Sequence, residues 1–291
     1  MPLGTNEFTT TTHATWIPEV WLDELRAFRE KNLVFRNLVK TVPFEGSAGD
    51  VIHVPDLSRL TVNNVTDGDE VTLSTVTESE FTGTVTRHRA VSFQVPKKVA
   101  LQAKYMVQSA YMQSAGKSIA EDLDQHIWSL ESGFQGGTRY LGTGGAYSMG
   151  TGADIDDAGL RAHIERLDVA DVPMDARFLV AAPPQKNVML GIPRFVEYQS
   201  IGAGNMPIRT GLFGEIYGIP VYFSTNEPGA IMGADTNLLG QEDAILLAMQ
   251  DDISIDTQWY LKNLSWLVVC DYIGQAFEFR DDHAISIVTP A

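Results

Sequence analysis

The hydrophobic and polar positions of residues 50–95 predict a long, threonine-rich β-ribbon. Residues 51–56 alternate as the start of a strand does, and Asp67-Gly68-Asp69 is a turn signal. The second strand is predicted to run unbroken over residues 81–95, a reach of about 50 Å at about 3.3 Å per residue. That reach exceeds the radius of a compact domain of this size. Because the ribbon has little apolar surface to bury in its own domain, we expect it to lie on another molecule or in solvent.

A helical pattern of apolar residues follows the ribbon directly. About thirty residues would form a spine about 45 Å long, and its buried stripe consists of Tyr105, Met112, Ile119, Leu123, Ile127 and Leu130. Gly116 interrupts this helix at some cost in stability. Other helices are predicted over residues 16–39 with a break near Asn32, from Asp154 onward, and over about 184–191.

The C-terminal half mixes strands with short helices. Strands are predicted over residues 177–182, 218–224 and 244–249, and at least three strand runs over 253–287. Residues 134–152 are rich in glycine and indicate a loop or hinge, which is the best internal boundary of the chain. The sequence contains no internal repeat.

The chain is strongly acidic. Its 291 residues carry a formal net charge of −16 and give a pI of about 4.7. Proteins bind nucleic acid through clusters of Lys and Arg. A protein as acidic as this one that works beside DNA is therefore expected to enclose the DNA rather than to bind it tightly. Hydrophobic residues make up 44% of the chain, enough for one large domain or two small ones.

No motif in the sequence predicts catalysis, a cofactor or a metal. A Walker-A phosphate loop is absent, and the run Gly142 to Tyr147 fails the dinucleotide-binding spacing because Tyr147 stands where a third glycine should be. Ser148 lacks the first glycine of a nucleophile elbow. The six histidines show no helical metal-pair spacing, and the acidic clusters lack the calcium-loop spacing. We therefore expect a protein that is not an enzyme.

The sequence also indicates where the chain is used. Cys270 is the single cysteine, which excludes an internal disulfide and favours a small buried side chain. The N-terminus has neither the basic start nor the apolar core of a signal peptide. No apolar run approaches the roughly 20 residues of a membrane span. We expect a chain that is made and used in a reducing cytoplasm, without membrane contact.

Six phrases of the sequence form an ordered set. They are residues 17–25 (IPEVWLDEL), 31–35 (KNLVF), 49–55 (GDVIHVP), 120–127 (AEDLDQHI), 172–183 (VPMDARFLVAAP) and 211–226 (GLFGEIYGIPVYFSTN). In this order and spacing, the chain resembles the major capsid proteins of tailed bacteriophages, which have the Hong Kong 97 fold. The resemblance runs from residue 16 to the C-terminus.

The resemblance implies an α+β fold with four parts. Residues 1–49 would be the N-arm and N-terminal helix, 50–96 the extended loop (E-loop), 97–151 together with 251–291 the peripheral domain with its spine helix, and 152–250 the axial domain. The implied function is self-assembly, as hexamers and pentamers, into the icosahedral head shell that encloses double-stranded DNA. Repeated heterologous contacts around axes are what a shell needs, and a ribbon that reaches past its own domain supplies one.

The same resemblance implies partners and a location. The partners are other copies of the chain, a portal protein, a decoration protein and packaged DNA contacted weakly. A separate scaffolding protein is expected because the IPEVW helix begins within twenty residues of Met1. The protein is expected in the virion, after assembly in the host cytoplasm.

The ribbon supplies the candidates for inter-subunit contact. They are Arg59, Asp67, Asp69, Glu70, Arg87 and Arg89. The three arginines are the only basic residues of the ribbon apart from histidine, and they would pair with acidic residues of a neighbour. The alternative is a solvated ribbon face, in which exposed pairs contribute only about 0–1 kcal/mol each.

Three other functions fit parts of the sequence. An encapsulin-like compartment that encloses cargo enzymes would share the fold. An acidic cytoplasmic hydrolase would not sediment as a megadalton particle. A tail or decoration protein built on β-ribbons would lack the spine helix and the phrases of the axial domain.

The ribbon predicts a shell held without covalent bonds. Some relatives cross-link neighbouring subunits through a ribbon lysine, but no lysine occurs from Thr41 to Pro96. Particles boiled in SDS should therefore give one band at 32.0 kDa. Ladders of covalent multimers on the gel would overturn this expectation.

Overall fold

The structure is a computed structural model, and it describes residues 33–43, 49–57, 60, 62–64, 67–68, 73, 78–102, 107–148, 150, 152–192, 214–227 and 234–290. In chain order the strands and helices are β1 (Lys40–Pro43), β2 (Val51–Leu57), β3 (Glu78–Thr84), β4 (His88–Pro96), α1 (Lys97–Gln102), α2 (Val107–Ser129), α3 (Phe134–Gly137), β5 (Arg139–Leu141), α4 (Asp157–Val169), β6 (Arg177–Ala181), α5 (Pro183–Leu190), β7 (Glu215–Ile216), β8 (Ile219–Phe223), β9 (Ala234–Gln241), β10 (Ile245–Tyr260), β11 (Ser265–Glu278) and β12 (Ala284–Pro290).

A four-stranded sheet, in the order β1-β10-β11-β4, is built around a long hairpin. Strands β10 and β11 contain 16 and 14 residues and pair antiparallel, with register shifts between Met249 and Ser254. Strand β1 joins β10 in parallel, and β4 joins β11 antiparallel. At about 3.3 Å per residue, the hairpin is about 45–50 Å long.

Helix α2 covers one face of this sheet and confirms the core of the predicted spine. Ile119, Leu123 and Ile127 of the predicted stripe are buried. They belong to one core with Leu247 and Met249 of β10 and with Cys270, Tyr272 and Ala276 of β11. The thirty-residue spine appears as α1 and α2, and residues 103–106 between them lie outside the described residues. Among the described residues, no helix has both the length and the apolar character that a membrane span requires.

A six-stranded sheet, in the order β5-β12-β9-β6-β8-β7, forms the second layer of strands. Strand β9 lies antiparallel to both β12 and β6, and β6 pairs in parallel with β8. Every residue of β6 is buried, as the apolar run after Arg177 predicts. Helices α4 and α5 pack here, since Leu160, Leu167 and Met189 share a core with strand residues Leu179, Leu239, Ile285 and Ile287.

The start of α4 shows how charge positions a helix. Its N-cap is Asp156, whose carboxylate accepts a hydrogen bond from the Gly159 backbone N–H at 2.6 Å. This bond satisfies one of the free N–H groups that every helix leaves at its first turn. The sequence predicted the start near Asp154, and the structure moves it by three residues to Asp157.

The two sheets meet through an aromatic core and one buried carboxylate. Phe35 lies 5.2 Å from Trp128 of α2 and 6.3 Å from Phe178 of β6, measured between ring centroids. Asp124 of α2, which is almost fully buried, accepts hydrogen bonds from the backbone N–H groups of Val34 and Phe35 at 3.1 and 2.7 Å. The segment that enters β1 is thereby fixed to the spine.

The predicted fifteen-residue ribbon strand is wrong. Residues 81–95 form two strands separated at residues 85–87: among the described strands β3 pairs with β2 alone, whereas β4 lies in the four-stranded sheet beside β11. The strand breaks at Val85 because this side chain is buried beside Ile52. The predicted helix over 16–39 is also not continued at its end, since residues 35–37 form a 3₁₀ turn before β1; its earlier residues lie outside the described part.

Each of the two larger sheets contains strands from more than one of the four parts expected from the sequence. Strand β10 runs through position 250 without a break, β4 belongs to the four-stranded sheet, and β5 and β12 belong to the six-stranded sheet. The glycine-rich run that suggested a boundary is thus tied to the six-stranded sheet through β5.

Two helical glycines have opposite environments and give a matched test. A Cβ at Gly116 in α2 would meet only Ile255 Cδ1 at 3.9 Å, whereas one at Gly159 in α4 would clash with the carbonyl oxygen of Gly142. Gly116→Ala should raise the free energy of unfolding by about 0.5–1 kcal/mol, because alanine loses less backbone entropy. Gly159→Ala should lower it by about 1–3 kcal/mol through overpacking. Urea denaturation of the unassembled subunit measures both, and shifts of the same sign would contradict this packing.

Candidate inter-subunit surfaces

The base of the ribbon is held by a small apolar cluster on the four-stranded sheet. Ile52 and Val85 are buried beside Ala248 of β10. Phe81 of β3 meets two rings of the β11 end edge-on, Phe277 at 5.9 Å and Phe279 at 5.5 Å between centroids. Edge-to-face aromatic pairs contribute about 0.5–1.5 kcal/mol each beyond the area they bury. The base is therefore a fixed anchor.

Hydrogen bonds complete this anchor. The Val85 N–H donates to the Asp50 carbonyl at 2.7 Å, and Gln275 Oε1 accepts from the Thr86 N–H at 2.9 Å. Gln250 donates to the Gly49 carbonyl at 3.1 Å. Together these bonds fix residues 49–50, just before β2, and residues 85–86, just after β3, against the four-stranded sheet.

Beyond the base, the described ribbon residues have little support from their own subunit. Strand β3 is exposed at five of its seven positions, and the hairpin carries an exposed ion pair between His53 and Glu80 at 3.3 Å. Val62 and Leu73 are 96% and 91% exposed. Apolar side chains as open as these two are typical of a surface that another molecule covers.

Arg87, a predicted inter-subunit contact, binds within its own chain. Its guanidinium donates to Asp122 Oδ2 at 2.7 Å and to the Tyr272 hydroxyl at 3.0 Å, and that hydroxyl donates to the same carboxylate oxygen at 2.8 Å. Burial alone would raise the pKa of Asp122, but these two hydrogen bonds outweigh it and the pKa lies below its usual value. The cluster joins the end of the ribbon to α2 and β11.

Burial also shifts the pKa values of Tyr272, which belongs to this cluster, and of His126 beside it. Burial raises the pKa of Tyr272, so the hydroxyl keeps its proton at neutral pH and can donate. Burial, with a smaller effect of nearby Arg87, lowers the pKa of His126 to about 4. His126 is therefore neutral at pH 7 and adds no charge between α2 and β11.

The other contact candidates fall into two groups. Arg89 lies 4.0 Å from Asp122 with a half-exposed side chain, and Asp67 is exposed. Arg59, Asp69 and Glu70 lie outside the described residues. Arg87 is thus partly buried in an ion pair within its own subunit, and the inter-subunit roles of all six candidates stay predictions.

The sequence analysis missed an exposed apolar surface at the β10–β11 turn. Trp259 and Trp266 pair across the hairpin at 5.2 Å between centroids, and Trp266 is 41% exposed. Beyond them Leu261 and Leu264 are 75% and 60% exposed. The signal was present in the run WYLKNLSW, because turns between strands are normally polar rather than rich in tryptophan and leucine.

The described residues were also searched for groups that could carry chemistry. Within the described ranges no three His, Cys, Asp or Glu side chains come together in a way that could hold a metal ion. His163 is buried against the Leu141 carbonyl at 3.0 Å, and burial lowers its pKa to about 4. A buried neutral histidine of this kind is a packing residue.

Comparisons with known proteins identify the fold. No family model and no curated protein sequence matches this chain. The capsid structure of the cyanophage P-SCSP1u matches with a TM-score of 0.78 and 17% sequence identity, over 99% of this chain and 96% of that chain. A structure of Mycobacterium phage Che8 matches with a TM-score of 0.75 and 18% identity, over 94% and 97%. The asymmetric unit of the bacteriophage PhiM1 mature capsid gives 0.72 and 14%, over 93% and 91%.

This chain has the fold of phage capsid proteins. The expected α+β fold of the Hong Kong 97 type is therefore confirmed. At identities of 14–18% the likeness lies in the order and packing of the elements rather than in individual residues.

Arg87 and Arg89 form a matched pair for testing the Asp122 cluster. Arg87→Glu removes two hydrogen bonds and places a second carboxylate beside Asp122, so the free energy of unfolding should fall by about 1–3 kcal/mol. Arg89→Glu should change it by less than about 0.5 kcal/mol, because Arg89 is half exposed and 4.0 Å away. Denaturant unfolding of the unassembled subunits compares them. If the Arg87→Glu subunit is as stable as the wild type and fails only to assemble, Arg87 acts in an inter-subunit contact instead.

Proposed function

We propose that this protein is a major capsid protein, which self-assembles into the icosahedral head shell that encloses the double-stranded DNA of a tailed phage. The observation that supports this most directly is the match to capsid structures along nearly the whole length of both chains. A match of this extent leaves no room for an additional catalytic domain in the matched length. The protein acts through the surfaces that it presents to other copies.

The expected parts acquire structural counterparts in this proposal. The four-stranded sheet with α2 is the body of the peripheral domain, and the six-stranded sheet with α4 and α5 is the body of the axial domain. This changes the expected bounds, because β5 and β12 then belong to the axial domain instead of the peripheral domain. Strands β2 and β3 are the stem of the E-loop. We keep residues 1–49 as the N-arm, which lies mostly outside the described residues.

Charge supports the enclosing role. A wall with a formal net charge of −16 per subunit repels packaged DNA, so the DNA is contacted weakly and stays mobile during packaging and release. The contacts that hold the shell are non-covalent, since the ribbon carries no lysine for a cross-link.

Other partners belong to the proposal on the ground of the shared fold. A head shell needs a portal protein at one vertex, and the resemblance also implies a scaffolding protein and a decoration protein. The mature location is the virion, after assembly in the host cytoplasm.

Electron microscopy of the purified protein tests the function. The full chain, expressed alone or with its scaffolding protein, should form closed isometric particles of megadalton mass. The matched control replaces residues 58–77 by Asn-Gly, a two-residue turn that closes β2–β3 beyond the last pair, Leu57 with Glu78. This control should remain a folded subunit and form at least tenfold fewer particles, because the E-loop is missing.

The outcomes separate the alternatives. A wild-type chain that stays a small oligomer at every salt and protein concentration, with scaffold present, would contradict a shell protein. Particles that co-purify with a ferritin-like enzyme instead of portal and DNA would point to a cargo compartment.

A further inference from the structure

A short polar segment after β8 joins the six-stranded sheet to helix α2. We call residues 224–227 the strap. At its start, the Ser224 N–H donates to the carbonyl of Ala181 in β6 at 3.3 Å. Further along, the Asn226 side chain donates to the Glu121 carbonyl of α2 at 2.7 Å. The strap is therefore bonded both to the sheet and to the helix.

The last residue of the strap repeats this double attachment. The Gln125 side chain of α2 donates to the Glu227 carbonyl at 3.3 Å. Glu227 Oε1 accepts hydrogen bonds from the backbone N–H of Thr236 in β9 and from the Thr236 hydroxyl, the latter at 2.9 Å. Thr236, like Ser224 and Asn226 of the strap, is almost fully buried. Glu227 thus bonds to the helix through its backbone and to the sheet through its side chain.

A second carboxyl group lies against that of Glu227. Asp235, which precedes Thr236 in β9, forms a hydrogen bond with the Glu227 side chain. Two ionised carboxylates have acceptor oxygens alone, so a bond between them needs a shared proton. Burial raises the pKa of Glu227; the Thr236 hydrogen bonds oppose this rise, and the charge of Asp235 adds to it. Burial raises the pKa of Asp235 as well. The pair therefore keeps a proton to a higher pH than an exposed carboxyl group does.

Helix α2 faces the strap with acidic residues. The Asn226 amide lies 3.5 Å from Asp124 Oδ2, besides its bond to the Glu121 carbonyl. Burial raises the pKa of Asp124. His126, one turn of residues further along, faces β11 instead, where its ring accepts a hydrogen bond from the Ala276 N–H at 3.4 Å. The helix side of the strap therefore contributes carboxyl groups rather than a cation.

The strands around the pair bring no ion-pair partner to it. Strand β12, which pairs with this end of β9, contains no titratable residue, and neither do residues 228–233 between the strap and β9. On the other side, Arg177 of β6 pairs with Asp168, and Lys186 of α5 lies over the Phe223 ring. Among the described residues, neither carboxyl group of the pair belongs to an ion pair. Loss of the proton thus leaves a negative charge without a cationic partner in this part of the subunit.

We propose that Glu227 and Asp235 form a proton-operated latch, which holds the strap, and with it the six-stranded sheet, against helix α2. With the proton in place, the two carboxyl groups are hydrogen-bonded and the strap is closed. Without it, two carboxylates repel each other at hydrogen-bond distance. Asp235 is held in the ladder of β9 and β12, whereas Glu227 lies outside the described strands, so the strap is the part that moves.

The latch weakens as the pH rises. Below the ordinary glutamate pKa of 4.5, the proton is bound in the closed and in the open or unfolded chain alike. Above it, the open chain releases the proton while the closed pair keeps it, so a rise in pH favours opening until the raised pKa of Glu227 is passed. The stabilisation by the latch is therefore fully present at acid pH and is lost as the pH rises through the pKa of the closed pair.

Hydrogen exchange in the unassembled full-length subunit measures the latch directly. The Thr236 N–H donates to Glu227, so its protection factor reports opening after correction for the pH dependence of exchange itself. In the wild type this protection factor should fall about tenfold between pH 5 and pH 8, the effect of about one pKa unit. In Glu227→Gln it should change by less than about twofold. The glutamine amide donates to Asp235 at every pH, and its carbonyl oxygen still accepts from Thr236.

Two further variants separate the latch from general effects of charge. Asp235→Asn donates its amide to the Glu227 carboxylate and should also remove the pH dependence. Glu242→Gln removes an exposed carboxyl group just beyond the opposite end of β9. This matched control changes the net charge equally and should keep the wild-type profile. The urea midpoint of the wild type and of this control should fall between pH 5 and pH 8 by about 0.5 M more than that of Glu227→Gln.

Three results would overturn the latch. The first is a wild-type protection factor that does not change with pH. The second is an equal fall in the wild type and in Glu227→Gln, which would place the titrating group elsewhere, for example at Asp124. The third is a flat profile in Glu242→Gln as well, which would indicate general charge repulsion. The latch acts within one subunit, so its failure would leave the proposed shell function standing, and a failure to form particles would leave the latch standing.

Discussion

Burial of the apolar stripe of α2 against the β10–β11 hairpin is the contact on which the rest of the structure depends. Ile119, Leu123 and Ile127 cover the middle of the hairpin, so both of its ends are held rigidly. One end carries the ribbon stem and the other the exposed tryptophan and leucine side chains of the β10–β11 turn, and a displacement of the helix would move both. The same helix reaches the six-stranded sheet through Trp128 and fixes the N-terminal segment through Asp124.

Elements with a strong period were predictable from the sequence. The α2 stripe, the buried strand β6 and the helix after Asp154 are local patterns, and each is found within a few residues of its predicted place. The capsid fold was recognisable because phrases in sequence order preserve element order. What failed was the single ribbon strand, because alternation is the same on both sides of a break. Only the pairing partners show the break near Val85, because β3 pairs with β2 whereas β4 pairs with β11.

The candidate site was harder to predict than the fold. The sequence predicts that Arg87 faces a neighbour, but it does not predict that the Arg87 guanidinium pairs with Asp122, thirty-five positions further along the same chain. Sequence position cannot show such a pair, because it depends on where α2 crosses β11.

The short outer strands of both sheets have a consequence for solubility. The four-stranded sheet ends in β1 with four residues, and the six-stranded sheet ends in β5 with three and β7 with two. Among the described outer strands of these two sheets, β4 is the long one, and it carries His88 and Arg89 at its start and Pro96 at its end. Short strands, charges and proline all oppose the addition of a further strand to an open sheet edge. A chain with these sheet edges is therefore protected against growth into fibres through backbone pairing.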